Sequence, residues 1–528
     1  MAPQSIARGF DALKAVLSRP ETGPSVAALL ALALGAWTFD YKLSLSGDNA
    51  EFVTLARSVA NGQGLTYTNL PDQIVATKYP PVFPFMLAPI AWLFEGSLWS
   101  NLSRGGLEFV AMKWLVVLMF SASAAILFLL VRDLSNDLQA SVTTLVAITN
   151  SLTVSYASQV MSEVPYVMWS LLALWLLGRG LASPDWRGNR WLWAGVAAMI
   201  IAYLTRSVGI CLITAVILYL IGRQDWRRTL IVGGICFCAM LPWALRNSMA
   251  GGSIYYQVLL MVNPYRPEKG YLDTIGVLYR LMDQLILYVN DYLPEVVLPL
   301  FAESSPAMAM MAILVSVLAV ATVFLCIRRR QHLLVLTYAA LFVFTLLTWP
   351  WGGTRFLVPL MPILWFLAVH TLAEGLGWLG ARQGLISART AGAAALVLML
   401  ALNLHSLFDL ARESRNGYSP AWRNYIAAGL WLRTTAEPDA TISCRKAFMM
   451  HLVSGRQTVT YAFDKPAALL AHFEEQGVDY AVVDNLPPPQ TEEFLVPAIS
   501  SAWDRFQVVY SLHDPDTFVV RFNDGGKR

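Results

Sequence analysis

Charge is what this sequence has least of. Only 14% of its 528 residues are Asp, Glu, Lys or Arg, against about 25% in a soluble protein. With 56% hydrophobic residues and a mean hydropathy of +0.52, most of the chain belongs in lipid, which excludes an ordinary soluble enzyme. The net charge of +3 is too small to point to a polyanionic partner, and nucleic acid is not expected. Histidine is scarce too: six residues, with no HxxxH or HExxH spacing, so nothing supports a histidine-bound metal. Cys211, Cys236, Cys238 and Cys326 fall in apolar segments and Cys444 stands alone, which excludes a disulfide framework or a metal cluster. No cleavable leader is expected: basic residues run to Arg19, and the apolar run Val26–Phe39 has no small-x-small site before Asp40.

What is there is a series of long apolar runs. Spans of about 20 residues are expected over Ser25–Leu43, Phe109–Val131, Ala140–Ala157, Val164–Leu177, Trp191–Thr205, Val208–Ile221, Leu230–Leu245, Ala307–Ile327, Leu333–Trp349, Phe356–Leu372 and Thr390–Leu407. The expected fold class is a polytopic α-helical membrane protein of about eleven spans with a C-terminal soluble α/β domain. Residues 1–408 form the membrane module and 409–528 the soluble domain.

Lys and Arg in short connections set orientation. Arg8, Lys14, Arg19, Arg132, Arg179, Arg187, Arg190, Arg223, Arg227, Arg228, Arg328–Arg330, Arg382 and Arg389 all fall on one side, which makes that side the inner one. The outer side then holds a loop over residues 40–108, a second piece from Arg246 to Pro306 (with Tyr255, Tyr256, Pro264, Tyr265 and Pro267) and the tail. In the tail, Trp422–Arg433 and Pro466–Gln476 read as helices. Thr441–Ser443, Tyr480–Asp484, Phe506–Ser511 and Thr517–Phe522 read as strands, the last two a closing hairpin. No internal repeat or low-complexity tract is present.

Against so apolar a background, a few outer-face charges stand out. Asp48, in Ser46-Gly47-Asp48-Asn49, is either the cap of a following helix or a partly desolvated general base. Glu51, three residues on, either shares that site or completes a capping box. In Lys78-Tyr79-Pro80-Pro81 the prolines hold an extended backbone; Lys78 then snorkels to headgroups or faces a lipid phosphate. Glu163, in Ser162-Glu163-Val164-Pro165, is a helix cap or a functional carboxylate in an expensive place. Arg206, Arg246 and Arg355 break the positive-inside trend. They are interfacial anchors, partners of Asp48 and Glu163, or donors to an anionic lipid headgroup.

These residues occur in an order that resembles a known family. Gly47-Asp48, Tyr79-Pro80-Pro81-Val82-Phe83-Pro84, Ser162-Glu163-Val164-Pro165, Leu204-Thr205-Arg206, Pro242-Trp243-Ala244-Leu245-Arg246-Asn247 and Arg355-Phe356-Leu357-Val358-Pro359-Leu360-Met361-Pro362 resemble the polyprenyl-phosphate-dependent glycosyltransferases of the GT-C fold. That superfamily includes protein O-mannosyltransferases, aminoarabinose transferases and RgtA/B/C/D-like bacterial enzymes. The resemblance implies an enzyme that moves a sugar, with inversion, from a polyprenyl-monophosphate carrier to a lipid, glycan or protein acceptor outside the membrane. It implies Asp48 and Glu163 as the acidic catalytic positions. Lys78, Arg206, Arg246 and Arg355 form the pool for donor-phosphate binding, and Glu51, Tyr79 and Asn247 support them. In the aminoarabinose branch a Lys directly precedes the two prolines; here Tyr79 stands between. Oligosaccharyltransferase relatives bind a divalent metal through further acidic residues, and this sequence has no comparable set; no cofactor is expected, and a divalent metal is left open without support from the sequence. The expected location is a bacterial inner membrane, with the site and tail on the periplasmic face. The alternative from another class is a transporter or flippase of lipid-linked sugars, which would want charges along a path through the membrane and inverted repeats.

Overall fold

A computed structural model describes residues 21–523 apart from 44–46, 95, 97–98, 102–103, 184–185, 265, 267–268, 298, 300–304, 384–387 and 488. Arg8, Lys14, Arg19, Ser46, Tyr265 and Pro267 lie outside the described residues.

The apolar runs become helices. Among the described residues four are long and apolar enough to cross a membrane: Leu107–Leu134, Glu163–Ala182, Trp226–Met249 and Pro306–Arg329. The first, at 28 residues, is about 42 Å long, more than the hydrocarbon core requires. Thr22–Trp37, Val82–Leu93, Arg190–Thr205, Ser207–Gly222 and Leu333–Thr348 are shorter apolar helices. Met361–Gln383 and Ala388–Arg415 follow. Helices Glu163–Ala182 and Arg190–Thr205 pack as a tight hairpin. A Cβ on Gly180 would meet Leu192 Cα at 2.5 Å, and one on Gly195 would meet the Leu177 backbone N at 2.9 Å. Glycine is what lets these two backbones approach, the usual device where lipid supplies no hydrophobic drive between helices.

Two expected spans are corrected. Ala140–Ala157 is not one helix but two, Asp137–Thr149 and Ser151–Ala157. Asn150 leaves the helical region, at φ −67 and ψ 120, and its Oδ1 accepts from Thr153 N. A buried Asn with that capping option competes with helix continuation, and its Nδ2 is held by Val296 O at 2.8 Å. Phe356–Leu372 likewise opens as a single 3₁₀ turn, Thr354–Leu357, before the helix Met361–Gln383. Pro359 has no N–H to give a continuous helix there.

Two short strands, β1 (Trp99–Asn101) and β2 (Arg104–Gly105), pair antiparallel in the first connecting loop. In the tail, β3 (Thr441–Ser443), β4 (Gln457–Val459), β5 (Val478–Val483), β6 (Phe506–Leu512) and β7 (Thr517–Phe522) form one sheet in the order β4-β3-β5-β7-β6. β3 runs parallel to β4 and β5, while β7 is antiparallel to β5 and β6. Helices Pro420–Thr435, Ala447–Ser454 and Pro466–Glu475 cover it. Tyr461, Leu469, Phe473, Ala481, Phe506 and Phe522 are buried in its own core cluster. Helix Ala447–Ser454 and β4 were not foreseen. The helix Ala388–Arg415 runs through the expected boundary at 408/409.

The tail is locked to the first loop at several points. Lys42 Nζ caps the end of helix Ala388–Arg415, donating to Asn416 O at 2.8 Å and Ser414 O at 3.2 Å, and Tyr418 OH donates to Leu43 O at 3.0 Å. Residues 65–76 form a small hairpin, with Ala76 N donating to Leu65 O and Tyr67 N to Ile74 O. At its tip Asn69 O accepts from Thr458 N at 2.6 Å, and its Nδ2 donates to Thr458 O at 3.1 Å. Thr458 lies in β4, the sheet edge, so the hairpin covers backbone groups that an edge strand otherwise leaves unpaired.

Candidate active site

Each charged residue singled out in the sequence sits where a helix starts or stops, all at one end of the bundle. Asp48 is in the first turn of helix Gly47–Ala60. Glu163 opens helix Glu163–Ala182, and Arg206 follows the last residue of Arg190–Thr205. Arg355 stands in the 3₁₀ turn after Trp351-Gly352-Gly353. That turn needs glycine: Gly353 has φ +142, and a Cβ on Gly352 would lie 2.8 Å from Tyr292 OH. Lys78 comes from the loop before helix Val82–Leu93.

The side chains form one chain of alternating charge. Glu51 Oε2 accepts from Lys78 Nζ at 2.7 Å, and Lys78 Nζ also meets Asp48 Oδ1 at 3.1 Å. Asp48 Oδ2 meets Arg355 Nη1 at 2.6 Å, and Arg355 Nε donates to Glu163 Oε1 at 2.7 Å. The same oxygen meets Arg206 Nη1 at 3.1 Å, and Arg206 is further held by Ser162 Oγ at 2.9 Å. One guanidinium thus bridges Asp48 and Glu163, residues more than a hundred apart in sequence. Tyr67 OH donates to Glu51 Oε1 at 2.6 Å, and the Lys78 ammonium lies 4.6 Å from the Tyr79 ring centroid.

The chain is desolvated but not sealed. Glu163 is fully buried, and its Oε2 has no hydrogen-bond partner; Asp48 keeps 22% of its side chain exposed. Burial alone would raise the Asp48 carboxyl, but Lys78 and Arg355 outweigh it and hold the group well below the usual carboxylate range. For Glu51 burial wins, and its carboxyl is pushed up despite Lys78. Burial would lower the Lys78 ammonium, yet Glu51 and Asp48 raise it. The buried Tyr79 hydroxyl faces this group without a well-formed hydrogen bond.

Arg246 and Asn247 lie beside the chain rather than in it. Arg246 Nη1 donates to Ala76 O and Nη2 to Leu65 O, both at 2.8 Å, and its guanidinium stacks 4.9 Å from the Trp243 ring centroid. Asn247 Nδ2 donates to Thr77 O at 3.3 Å. In this state they clamp the base of the hairpin that carries Tyr67. Sequence reasoning missed Tyr67, Ser162 and the approach of the tail, where the Phe448 ring packs on Tyr67 with centroids 5.3 Å apart. A Tyr three residues past Asn61-Gly62-Gln63-Gly64 carries no local signal of a carboxylate partner 16 residues away. Among the described residues no group of three His, Cys, Asp or Glu side chains is placed to hold a metal ion. Asp48 and Glu163 both close on Arg355.

Comparison with known proteins follows the same residues. Positions 78–244 match the family model described as dolichyl-phosphate-mannose-protein mannosyltransferase. That stretch holds Lys78, Glu163 and Arg206. No curated protein matches the sequence at a significant level. Among solved structures, ArnT from Cupriavidus metallidurans bound to undecaprenyl phosphate shares the fold at a TM-score of 0.60 and 15% identity, over 94% of this chain and 97% of that one. The archaeal oligosaccharyltransferase AglB from Archaeoglobus fulgidus, in complex with an inhibitory peptide and a dolichol-phosphate, aligns at a TM-score of 0.55 and 12% identity, over 87% and 69%. The mycobacterial arabinofuranosyltransferase AftD aligns at 0.51 and 13%, over 95% of this chain and 40% of that one. Family match and fold agree: the chain has the fold of these membrane glycosyltransferases, and its residues 78–244 match the mannosyltransferase family model.

Proposed function

We propose that this enzyme transfers a sugar from a polyprenyl-monophosphate carrier to an acceptor hydroxyl or amide on the outer face of a bacterial inner membrane, by a single inverting displacement. The observation that carries the reading is the chain Glu51–Lys78–Asp48–Arg355–Glu163–Arg206 at one end of the helix bundle. Three cations alternating with three carboxylates at a membrane surface suit a phosphate leaving group next to a proton acceptor. The family description and the carrier lipids bound by ArnT and AglB support the donor class. The distribution of Lys and Arg supports the orientation, and charges gathered at one end tell against a transport path.

In the resting state Asp48 is a poor base, because Lys78 and Arg355 hold its proton affinity down. A donor phosphate accepting hydrogen bonds from those two cations would loosen their hold on Asp48 and raise its basicity. Asp48 then takes the acceptor proton as the acceptor atom attacks the anomeric carbon. The bond from that carbon to the phosphate oxygen breaks, and its electron pair leaves with the polyprenyl phosphate. Lys78, Arg355 and Arg206 offset the charge growing on it, the kind of preorganised electrostatic stabilisation that dominates many enzymes. Glu163 orients Arg355 and Arg206. Arg246 and Asn247 hold the loop that positions Lys78 and Tyr79. The reading routes no step through a metal, since a guanidinium already fills the space between the two carboxylates.

The test is reconstitution with a panel of polyprenyl-monophosphate sugars and candidate acceptors, following release of free polyprenyl phosphate, with and without EDTA. Turnover with one donor, unchanged by EDTA, is expected. Movement of lipid-linked sugar between leaflets without turnover would refute the reading, and activity lost to EDTA and restored by a divalent cation would refute its metal-free form.

A further inference from the structure

A charge count exposes a gap in the site. Lys78, Arg206 and Arg355 face Glu51, Asp48 and Glu163, so with every group ionised the chain is neutral. A phosphate entering it would leave an uncompensated negative charge in a partly desolvated place, which is costly. The neighbouring arginines are committed elsewhere: Arg246 to the carbonyls of Leu65 and Ala76, and Arg57 to Glu108.

The tail holds an uncommitted cation. Lys446 immediately precedes helix Ala447–Ser454, which packs against the helix Gly47–Ala60 that carries Asp48. Its backbone is pinned on both sides by one buried hydroxyl: Lys446 N donates to Tyr425 OH, and Tyr425 OH donates to Lys446 O, each at 3.2 Å. Two residues on, Phe448 stands on Tyr67, the residue that holds Glu51. The Lys446 ammonium is half-buried and, among the described residues, has no ion pair or hydrogen bond. Its neighbour Arg445 spends its guanidinium within the tail, on Gln490 and the carbonyls of Leu486 and Pro487. The charged groups acting on Lys446 are Arg445, Asp48 and Asp484, and of the two carboxylates Asp48 acts more strongly. Burial, then Arg445, push the ammonium down from its ordinary value; an anion docked beside it would pull it back up.

We propose that Lys446 is the soluble domain's contribution to the site, a phosphate-binding cation that closes over the donor and supplies the positive charge the membrane-embedded chain lacks. On this account the tail completes the donor site rather than only covering it. The inference rests on the donor class proposed above. It also gives the hairpin 65–76 a purpose: bonded to Arg246 on one side and to Thr458 of β4 on the other, it ties the tail to the helix bundle.

The test uses the full chain in lipid nanodiscs, with undecaprenyl phosphate as the probe and undecaprenol as its uncharged control, read by intrinsic tryptophan fluorescence. Wild type is expected to bind the phosphate more tightly than the alcohol. K446M, which keeps the apolar stem, is expected to lose about tenfold in affinity for the phosphate and nothing for the alcohol. K446R is expected to recover most of the loss, and all three are expected to share one Tm. K446M binding the phosphate as wild type does would overturn the inference and leave the proposed function standing, as would K446R failing alongside K446M. A wild type that does not distinguish phosphate from alcohol would overturn the proposed donor class and this inference with it.

Discussion

The helix Gly47–Ala60 carries a buried ion cluster at each end, and the two are built differently. At its far end Arg57 meets Glu108 through two parallel bonds, Nε to Oε1 at 2.8 Å and Nη2 to Oε2 at 2.7 Å. Both oxygens of the carboxylate are satisfied by one partner, the geometry that makes an Arg–carboxylate pair rigid. At the near end two of the three cations are shared between carboxylates. Asp48 divides between Lys78 and Arg355, Lys78 between Asp48 and Glu51, Arg355 between Asp48 and Glu163, and one oxygen of Glu163 has no partner at all. A closed pair has nothing left to offer a ligand. A shared chain can exchange one bond for another as a phosphate arrives, because each member keeps a second partner.

Four changes would break or sharpen this contrast. The largest effect is expected for Asp48→Asn at the shared end: turnover falls by about 10³-fold, within the range for losing a general base, while the protein still purifies as a folded monodisperse species. Near-normal turnover in folded D48N would remove Asp48 from the chemistry. Next is Arg355→Lys, which keeps the charge but loses the fork that spans Asp48 and Glu163; kcat/KM should fall by about 10²-fold, and retention of activity would mean that charge alone matters there. Arg57→Met at the closed end should do the reverse. It removes the bidentate partner of the fully buried Glu108 and should cost about 3 kcal/mol, the low end for breaking a buried pair, because Arg57 itself is a third exposed. Turnover per folded molecule should stay within about threefold of wild type, and a large kcat loss there would show that the closed pair also serves the reaction.

The smallest effect is a pH dependence. Burial works against the Asp48 carboxylate, yet Lys78 and Arg355 hold its folded-state pKa below the unfolded value, which is about 3.9. A depressed carboxylate lends stability that is fully present above its unfolded pKa and is lost as pH falls toward and through the folded value. The thermal stability gap between wild type and D48N should therefore be open at pH 7 and narrow as pH drops below about 4. A gap that widens on acidification would mean that Asp48 is strained, not stabilised, by its neighbours.

The contrast also marks what could be read in advance. Asp48, Lys78, Glu163, Arg206 and Arg355 are legible as exceptions: charges in an apolar sequence, on the side where positive charge is not expected. Arg246 looks the same in sequence, and nothing local distinguishes a guanidinium that bridges carboxylates from one that clamps two carbonyls of a hairpin. Tyr67, Phe448 and Lys446 carry no signal at all, since each matters only through what lies across from it. The helix break at Asn150 was missed because an apolar run hides a capping residue whose other partner, Val296 O, is 146 residues away.

By itself, then, the sequence determined that this is a helical membrane protein with an α/β tail, and that its few stray charges gather at one end. Those are consequences of composition, run length and charge asymmetry, which act locally and add along the chain. Only the tertiary structure decided who pairs with whom: that Arg355 joins two carboxylates from distant helices, that Arg57 is closed and Asp48 shared, and that the tail sets a lysine beside the site. Ion pairing depends on separations of about 3 Å between residues that packing alone brings together, and no periodicity along the chain encodes them.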